Sequence, residues 1–181
     1  MRRVIGVDPG LAGGLGVLDV DDGGEVLAVE LARTPHLSVL RGRKMRDEYD
    51  AARMRELLAR AVDGRAPTIH GVEVALEAQG ARPAQGVASS YRTGMGFGLW
   101  LGLVVGMRVP YRIVAPALWK HHAGLIHADK RASRLRAQER FPALGVVAAA
   151  DEGPAEALLL AAYVAATRHK EGTHAAAPPV R

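Results

Sequence analysis

The stretch RRVIGVDPGLAGGLGVLDVD, residues 2–21, decides the fold. It indicates two short buried strands joined by a turn rich in proline and glycine, and the first strand ends at Asp8. Burying a carboxylate is costly unless the group is paired or coordinates a metal. Asp8 therefore needs a partner elsewhere in the chain.

The pattern that follows predicts a layered α/β domain. The segment DVDDGGE, residues 19–25, is a strong hairpin signal, so strands over 3–8, 14–20 and 25–33 form an antiparallel meander. Residues 34–48 are polar and basic, and we expect a mobile loop there. The later predicted elements are a helix over 50–63, a strand over 69–77, a helix over 87–107, a strand over 111–114, a short helix from Pro116, a basic helix over 129–141 and a last helix over 154–168. The leading meander makes the sheet mixed rather than fully parallel.

Length and composition limit the organisation and the chemistry. The 181 residues fit one domain, which we place over 1–168 with a disordered tail over 169–181. The chain has no cysteine, which excludes disulfides, thiolate metal sites and thiol nucleophiles. The longest apolar stretch, residues 96–107, is too short to span a bilayer, and no signal peptide is evident. We therefore expect a cytoplasmic protein without membrane contact.

The chain is basic, with a net charge of +5 and a pI of about 10.0. The cations are densest in RGRKMR, residues 41–46, and in DKRASRLRAQER, residues 129–140. Such patches favour binding to a polyanion, because each cation placed on a phosphate releases counterions. A basic surface that only confers solubility is the alternative.

Acidic residues separated in sequence are placed to converge. Asp8 and Glu77 each end a predicted strand, and neighbouring strands would bring them to one edge of the sheet. Glu152 and Glu156 are four residues apart on the last helix and share a face, with Asp151 beside them. Converging carboxylates suit Mg²⁺ or Mn²⁺, and two such ions can clamp a phosphodiester for attack by water. Singly, Asp8 is also compatible with a turn, Glu77 with a solvated strand end, and Asp151 and Glu152 with a helix cap. For Glu156, the one charge in an apolar helix, solvent exposure is the alternative.

Four glycines recur every four residues on the long middle helix: Gly94, Gly98, Gly102 and Gly106. Each weakens the helix by about 1 kcal/mol relative to alanine. A stripe of small residues lets another backbone approach closely, either a second copy of the chain or the protein's own sheet. Both alternatives remain open from the pattern alone.

The ordered motifs resemble the phage-type RuvC family of Holliday junction resolvases. The resemblance rests on IGVDPG, LEAQGARPAQGVASSYRTGMGFGLWLGLV, PALWKHHAGLIHADKRASRLRAQERFP and AEALLLAAY, and runs from about residue 3 to residue 166. It implies an α/β, RNase H-like fold with a mixed five-stranded sheet flanked by helices. It also implies a homodimer that cuts two opposed strands of a four-way DNA junction with two Mg²⁺ or Mn²⁺ ions in each active site. It also implies nicks with 5′-phosphate and 3′-hydroxyl ends, and no nucleotide cofactor.

The same resemblance implies roles for individual residues. Asp8, Glu77 and Glu156 match three of the family's metal-binding acids, while the fourth is Glu152 or, with a longer step, Asp151. Lys120 and Lys130 match lysines beside the scissile phosphate, although ordinary solvated lysines are an alternative. The implied DNA contacts are Arg82, Arg92, Lys120, Lys130, Arg131 and Arg134, with Arg140 continuing the basic surface. Gly94, Gly98 and Gly102 would line the dimer interface.

One departure concerns the loop after Glu77. Cellular members of the family carry an aromatic wedge there, whereas AQGARPAQG has no aromatic residue. The resemblance therefore does not extend to base stacking at this loop or to tight sequence preference, and Arg82 is the residue we expect to insert instead. The adjacent His121 and His122 point to different sides of a helix and are interpreted as surface residues. Two other functions stay open: a related RNase H-like nuclease for flaps or branches, and a sugar-kinase or actin-like phosphate binder.

Overall fold

The structure, a computed structural model, describes residues 1–63, 71–80 and 86–167, with the side chain of Lys130 excepted. It contains seven strands and five α-helices in these ranges. The strands are β1 (Arg2–Asp8), β2 (Gly14–Val20), β3 (Val26–Arg33), β4 (His36–Arg41), β5 (Lys44–Tyr49), β6 (Val72–Glu77) and β7 (Tyr111–Val114). The helices are α1 (Ala51–Asp63), α2 (Val87–Gly106), α3 (Pro116–Ala123), α4 (Lys130–Arg140) and α5 (Glu152–Thr167).

The main sheet has five strands in the order β3-β2-β1-β6-β7. β1, β2 and β3 pair antiparallel, whereas β6 runs parallel to both β1 and β7. The predicted mixed sheet with flanking helices is therefore confirmed. The tail predicted over 169–181 lies outside the described residues, and so does Arg82.

Two hydrophobic cores fill the space on either side of the sheet. One lies under α3, α4 and α5, and the other lies under α1 and α2. Helix α5 is almost entirely apolar and crosses β1 and β2 at Gly6 and Gly16, where an added Cβ would overlap its backbone. Because no side chain separates helix from sheet, α5 lies close to β1 and carries its N-terminal acids to the edge where β1 ends.

Local sequence explains the ends of the shorter helices. Pro116 occupies the first turn of α3, and Gly124 ends that helix with a left-handed φ of 70°. Asp129 caps α4, where its side chain accepts the amide N–H of Ala132 at 2.9 Å. None of the helices in the described ranges combines the length and apolar character that crossing a bilayer requires.

The mobile loop predicted over 34–48 is wrong. These residues form a separate two-stranded hairpin, β4–β5, in continuous antiparallel register from His36–Tyr49 to Arg41–Lys44. A two-residue turn, Gly42-Arg43, joins the strands, and Gly42 has a φ of 63°. Glycine at the first position of such a turn is typical of the type II′ hairpin.

Candidate active site

Asp8 and Glu77 meet at the carboxyl edge of the sheet. β1 and β6 are parallel neighbours, and Val7 pairs with Leu76, so the next residue of each strand is one of the two acids. Glu77 is 8% exposed, and Asp8 is partly exposed. The predicted convergence of these two strand ends is therefore present.

The turn after β1 encloses the Asp8 carboxylate. Oδ1 accepts the amide N–H of Gly10 at 3.1 Å, and an added Cβ on Gly13 would lie 2.8 Å from the Asp8 Cγ. From α5, Gly153 leaves the same small space, because its Cβ would lie 3.0 Å from Oδ2. The amide of Gly13 donates to Gly10. Two amides of this glycine-rich turn are thus used internally, which leaves fewer N–H groups for a phosphate of a kinase-type ligand.

Two side-chain donors hold Glu77. Trp119 of α3 donates its indole N–H to Oε1 at 2.9 Å, and Gln79 donates to Oε2 at 2.9 Å. Burial raises the pKa of Glu77, the hydrogen bond from Trp119 opposes that rise, and the charge of Glu156 adds to it. The carboxylate is thus kept in a low-dielectric position by neutral donors.

Glu156 reaches the same edge from α5. Its Oε1 accepts a hydrogen bond from the buried hydroxyl of Ser133 at 2.8 Å, and the ammonium of Lys120 lies 3.8 Å away. The charge of Glu156 acts on both Asp8 and Glu77. Three acids from three elements therefore share one electrostatic environment.

The pKa of Asp8 shows that a negative charge at this position is unfavourable in the absence of a counter-charge. The pKa of Asp8 is raised to about 7, mainly by burial and in addition by the charges of Glu77 and Glu156. The Gly10 amide and the Lys120 ammonium oppose the shift. A single lysine leaves the three carboxylates undercompensated, and a divalent cation is the counter-charge that such oxygens prefer.

Carboxylate oxygens are the donor type that a hard divalent cation prefers. In the described ranges, however, no three acidic or histidine side chains are placed so that they could hold a metal ion together. The oxygens of Glu77 are hydrogen-bonded to Trp119 and Gln79, and one oxygen of Glu156 is engaged by Ser133. Each carboxylate oxygen has two lone pairs, so one donor does not exhaust it. The acids are grouped and desolvated, and these side-chain donors fix where their oxygens lie.

The two candidates for the fourth acid have different surroundings. Asp151 forms an ion pair with Arg33 of β3 at 2.7 Å, across an exposed surface. Glu152 is the first residue of α5, directly before the Gly153 that packs against Asp8. Among the described residues, no ion pair engages Glu152.

The predicted DNA-contacting cations fall into distinct groups. Lys120 lies at the acids, while Lys130 is the first residue of α4 and only its backbone position is described. Arg92 and Arg131 are exposed. Arg134 is half-buried, and its guanidinium donates to the carbonyl of Val147 at 3.5 Å, so it also supports the fold.

The glycine stripe of α2 faces away from the protein. A Cβ added at Gly94, Gly98, Gly102 or Gly106 would meet no atom within 4 Å. Gly96, on the opposite side of the helix, packs against Tyr49 and Pro9. Packing of the stripe against the protein's own sheet, one of the two alternatives from sequence, is therefore wrong.

Sequence reasoning missed the donors that hold the acids. Trp119 directly precedes Lys120, and Ser133 lies in the basic helix, yet only the cations of those segments were singled out. The usable signal was the cost of burying Glu77 and Glu156, since each buried carboxylate requires a donor. His121 and His122 are exposed, as predicted, and the ring of His122 lies edge-to-face with Tyr163 at 5.5 Å between centroids.

Comparison with known structures identifies the fold. T. thermophilus RuvC in complex with Holliday junction substrate aligns with a TM-score of 0.57 and 22% identity over 93% of this chain and 96% of that chain. A second structure of Thermus thermophilus RuvC aligns with a TM-score of 0.55 and 23% identity, covering 92% and 96%. The chain has the RuvC fold. No protein-family model and no curated protein sequence matches it.

Proposed function

We propose that this protein is a metal-dependent, junction-resolving endodeoxyribonuclease of the RuvC type, and of its phage-type branch. The observation that carries the proposal is the grouping of Asp8, Glu77 and Glu156, from three separate elements, at the edge where β1 and β6 end. The RuvC fold and the resemblance of the motifs support it. We place its action in the cytoplasm of a bacterial host.

Asp8, Glu77 and Glu156 would hold two Mg²⁺ or Mn²⁺ ions together with Glu152, and Asp151 is the alternative fourth acid. When bound, the ions supply a water nucleophile at neutral pH and neutralise charge on the scissile phosphate. Trp119 and Ser133 position the oxygens of Glu77 and Glu156 through the hydrogen bonds described above. Hydrolysis would leave a 5′-phosphate and a 3′-hydroxyl.

Lys120 is proposed to stabilise charge on the phosphate. Its ammonium lies 3.8 Å from Glu156, which is close enough to orient it at the acids and too long for a strong, fixed hydrogen bond. Lys130 is assigned the same role through the resemblance. The proposed backbone contacts are Arg82, Arg92, Arg131 and Arg134, and such contacts position DNA without reading its sequence.

A homodimer is part of the proposal, because a four-way junction has two equivalent strands to cut. Helix α2 supports it. Of its twenty residues only Gly96, Trp100 and Val104 are buried, although the helix is largely apolar. The outward stripe of Gly94, Gly98 and Gly102 offers a surface on which a second α2 could lie closely. A twofold axis there would give two identical sites.

The test compares DNA structures of the same sequence content. The wild-type protein is incubated in Mg²⁺ with four-way, three-way, flap and linear duplex DNA, and nicks are mapped and tested for sealing by ligase. We expect paired, sealable nicks in opposed strands of the four-way junction. Preferential cutting of flaps would instead support the related branched-DNA nuclease.

Asp8→Asn and Glu77→Gln provide the catalytic controls. Both variants should bind the four-way junction and fail to cut it, because each loses a metal-holding charge while keeping its shape. Circular dichroism verifies folding. Cutting by Asp8→Asn at the wild-type rate would refute the assignment of the site.

A further inference from the structure

The β4–β5 hairpin stands outside both hydrophobic cores. Of its residues, only Tyr49 at the base packs against either core cluster. Leu40 and Met45 near its tip are 64% and 61% exposed. An isolated two-stranded hairpin is at best marginally stable in water. Because packing against the core does not explain this element, we looked for a contact that it makes with another molecule.

The cross-strand register sorts the hairpin residues onto two faces. Lys44 pairs with Arg41, and Arg46 pairs with Val39, which places these cations on one face of the ribbon. The other face carries Tyr49 at the base. Arg41 is neutralised by Glu48, with nitrogen–oxygen distances of 2.6 and 2.9 Å.

The remaining cations of the hairpin are unneutralised. Arg43 in the turn, Lys44 and Arg46 are exposed, and within the described ranges no carboxylate pairs with them. Asp47, on the face opposite Lys44 and Arg46, accepts the hydroxyl of Ser38 at 2.6 Å. Charge complementarity therefore favours a polyanion as the occupant of the Lys44–Arg46 face.

The base of the hairpin is fixed beside the candidate active site. The hydroxyl of Tyr49 lies 3.3 Å from the carbonyl of Pro9, the residue after Asp8, and 3.4 Å from the carbonyl of Arg92. The amide of Asp50 donates to Pro35 at 3.0 Å and closes the base of the ribbon. The ribbon thus starts at the turn that encloses Asp8.

We propose that the β4–β5 hairpin binds the sugar-phosphate backbone of one duplex arm of the DNA substrate through Arg43, Lys44 and Arg46. The inference rests on the proposed nuclease function and extends it to the DNA outside the cut site. Strands of six residues reach about 20 Å, which spans about six base pairs along a duplex. The contacted phosphates therefore lie within about six base pairs of the scissile bond.

The experiment compares Lys44→Gln/Arg46→Gln with a control of equal charge, Arg60→Gln/Arg108→Gln. Both control arginines are exposed. They lie at the opposite edge of the sheet, where the carbonyl of Ala61 accepts from Arg3 and that of Pro110 accepts from Val74. The affinity of each variant for a four-way junction is measured at several salt concentrations. The buffer contains no Ca²⁺ or Mg²⁺, so that the arms of the junction stay uncut.

We expect the hairpin variant to bind the junction at least about tenfold more weakly at 0.1 M salt. The slope of log K against log[salt] should become shallower by about 2, one unit for each lost phosphate contact. The control variant keeps the wild-type affinity and slope. Junctions with neutral methylphosphonate linkages within six base pairs of the crossover should weaken wild-type binding more than they weaken binding by the hairpin variant, which keeps its other phosphate contacts. Neutral linkages placed twelve or more base pairs away should change neither protein.

Three results would overturn the inference. The first is that the hairpin variant binds the junction with wild-type affinity. The second is that the control variant loses as much affinity as the hairpin variant. The third is a change in sedimentation with unchanged DNA affinity, which would assign the hairpin to contact with a second copy of the chain. The nuclease proposal is judged separately by cutting. If the wild-type protein cuts junctions and the hairpin variant binds them normally, only the hairpin proposal is refuted. If binding depends on the hairpin and no junction is cut, only the nuclease proposal is refuted.

Discussion

Trp119 and Glu77 form a buried hydrogen bond of 2.9 Å between α3 and the end of β6. The indole N–H opposes the rise in the pKa of Glu77 that burial causes. Hydrogen bonds to a charged group are worth about 1.5–3 kcal/mol, so this donor controls the pH at which Glu77 carries charge. Trp119 is accordingly a positioning residue for the candidate metal site.

Trp119→Phe removes that donor and keeps most of the aromatic volume. The pKa of Glu77 should rise further, and the acid limb of the cutting rate against pH should move up by about 1 to 2 pH units. Trp100→Phe is the matched control, because Trp100 is fully buried and its indole nitrogen has no hydrogen-bond partner in the described structure. An equal shift in both variants would show that lost volume, and not the hydrogen bond, sets the profile.

Asp151 and Glu152 can be separated by charge-removing substitutions. Asp151 is engaged by Arg33, and exposed pairs contribute up to about 1 kcal/mol, so Asp151→Asn should cut junctions within about threefold of wild type. Glu152→Gln should lower the rate by about a hundredfold or more, since a lost metal-holding charge costs several kcal/mol in the transition state. The reverse ranking in single-turnover assays would assign the fourth site to Asp151.

The antiparallel meander and the strand ends that carry the acids were predictable because they follow from short-range patterns, whereas the pairing of β1 with β6 was only assumed. Apolar runs ending in Asp8 and Glu77 indicated buried strands, and the spacing of Glu152 and Glu156 indicated one helix face. Donors such as Trp119 and Ser133 were not predictable in the same way, since they reach the acids through tertiary packing of α3 and α4. No local pattern records which indole or hydroxyl meets which carboxylate.

The hairpin over 36–49 was missed for a different physical reason. High charge was taken as evidence for an irregular loop, but charge decides where a segment lies and not its backbone conformation. The usable signals were the Gly42-Arg43 dipeptide and the apolar residues at alternate positions, Leu37 and Val39, on β4. Such a ribbon has no buried face, so the usual periodicity of a half-buried strand is weak.

The outward glycines of α2 make opposite predictions for a monomer and a dimer. In a monomer, Gly98→Ala/Gly102→Ala should stabilise the helix by about 1 kcal/mol per site, because nothing lies within 4 Å of either added methyl. In the proposed dimer the methyl groups separate the two helices. We expect a dimer dissociation constant at least about tenfold weaker by sedimentation, corresponding to about 1.4 kcal/mol.

Gly71→Ala is the control for that experiment, since it also adds a methyl into open space on a residue without a left-handed φ. Gly71 precedes β6, at the opposite edge of the sheet from Asp8. The control should leave the dimer unchanged. If the double substitution, like the control, leaves the dimer dissociation constant unchanged, the twofold contact lies elsewhere.

Asp8 should destabilise the metal-free protein, in a way that depends on pH. Its pKa is about 7 in the folded state against an ordinary value of 3.8. Between these two values the folded state retains a proton that the unfolded state has released, so the free energy of unfolding falls as pH rises and levels off above about 7. Asp8→Asn, which keeps an oxygen for the Gly10 amide, removes this dependence.

The measurement is urea denaturation with a chelator at pH 5 and pH 8. Asp8→Asn should be more stable than wild type at both values, and its advantage should be about 2 to 3 kcal/mol larger at pH 8. Asp19→Asn is the contrasting variant, because Asp19 is buried yet paired with Arg3 at 2.7 and 2.8 Å, and removing it strands a buried cation. It should destabilise the protein by several kcal/mol. Added Mg²⁺ should increase the free energy of unfolding of the wild-type protein and not that of Asp8→Asn. If the stability difference between Asp8→Asn and wild type does not depend on pH, the electrostatic interpretation of the site is contradicted.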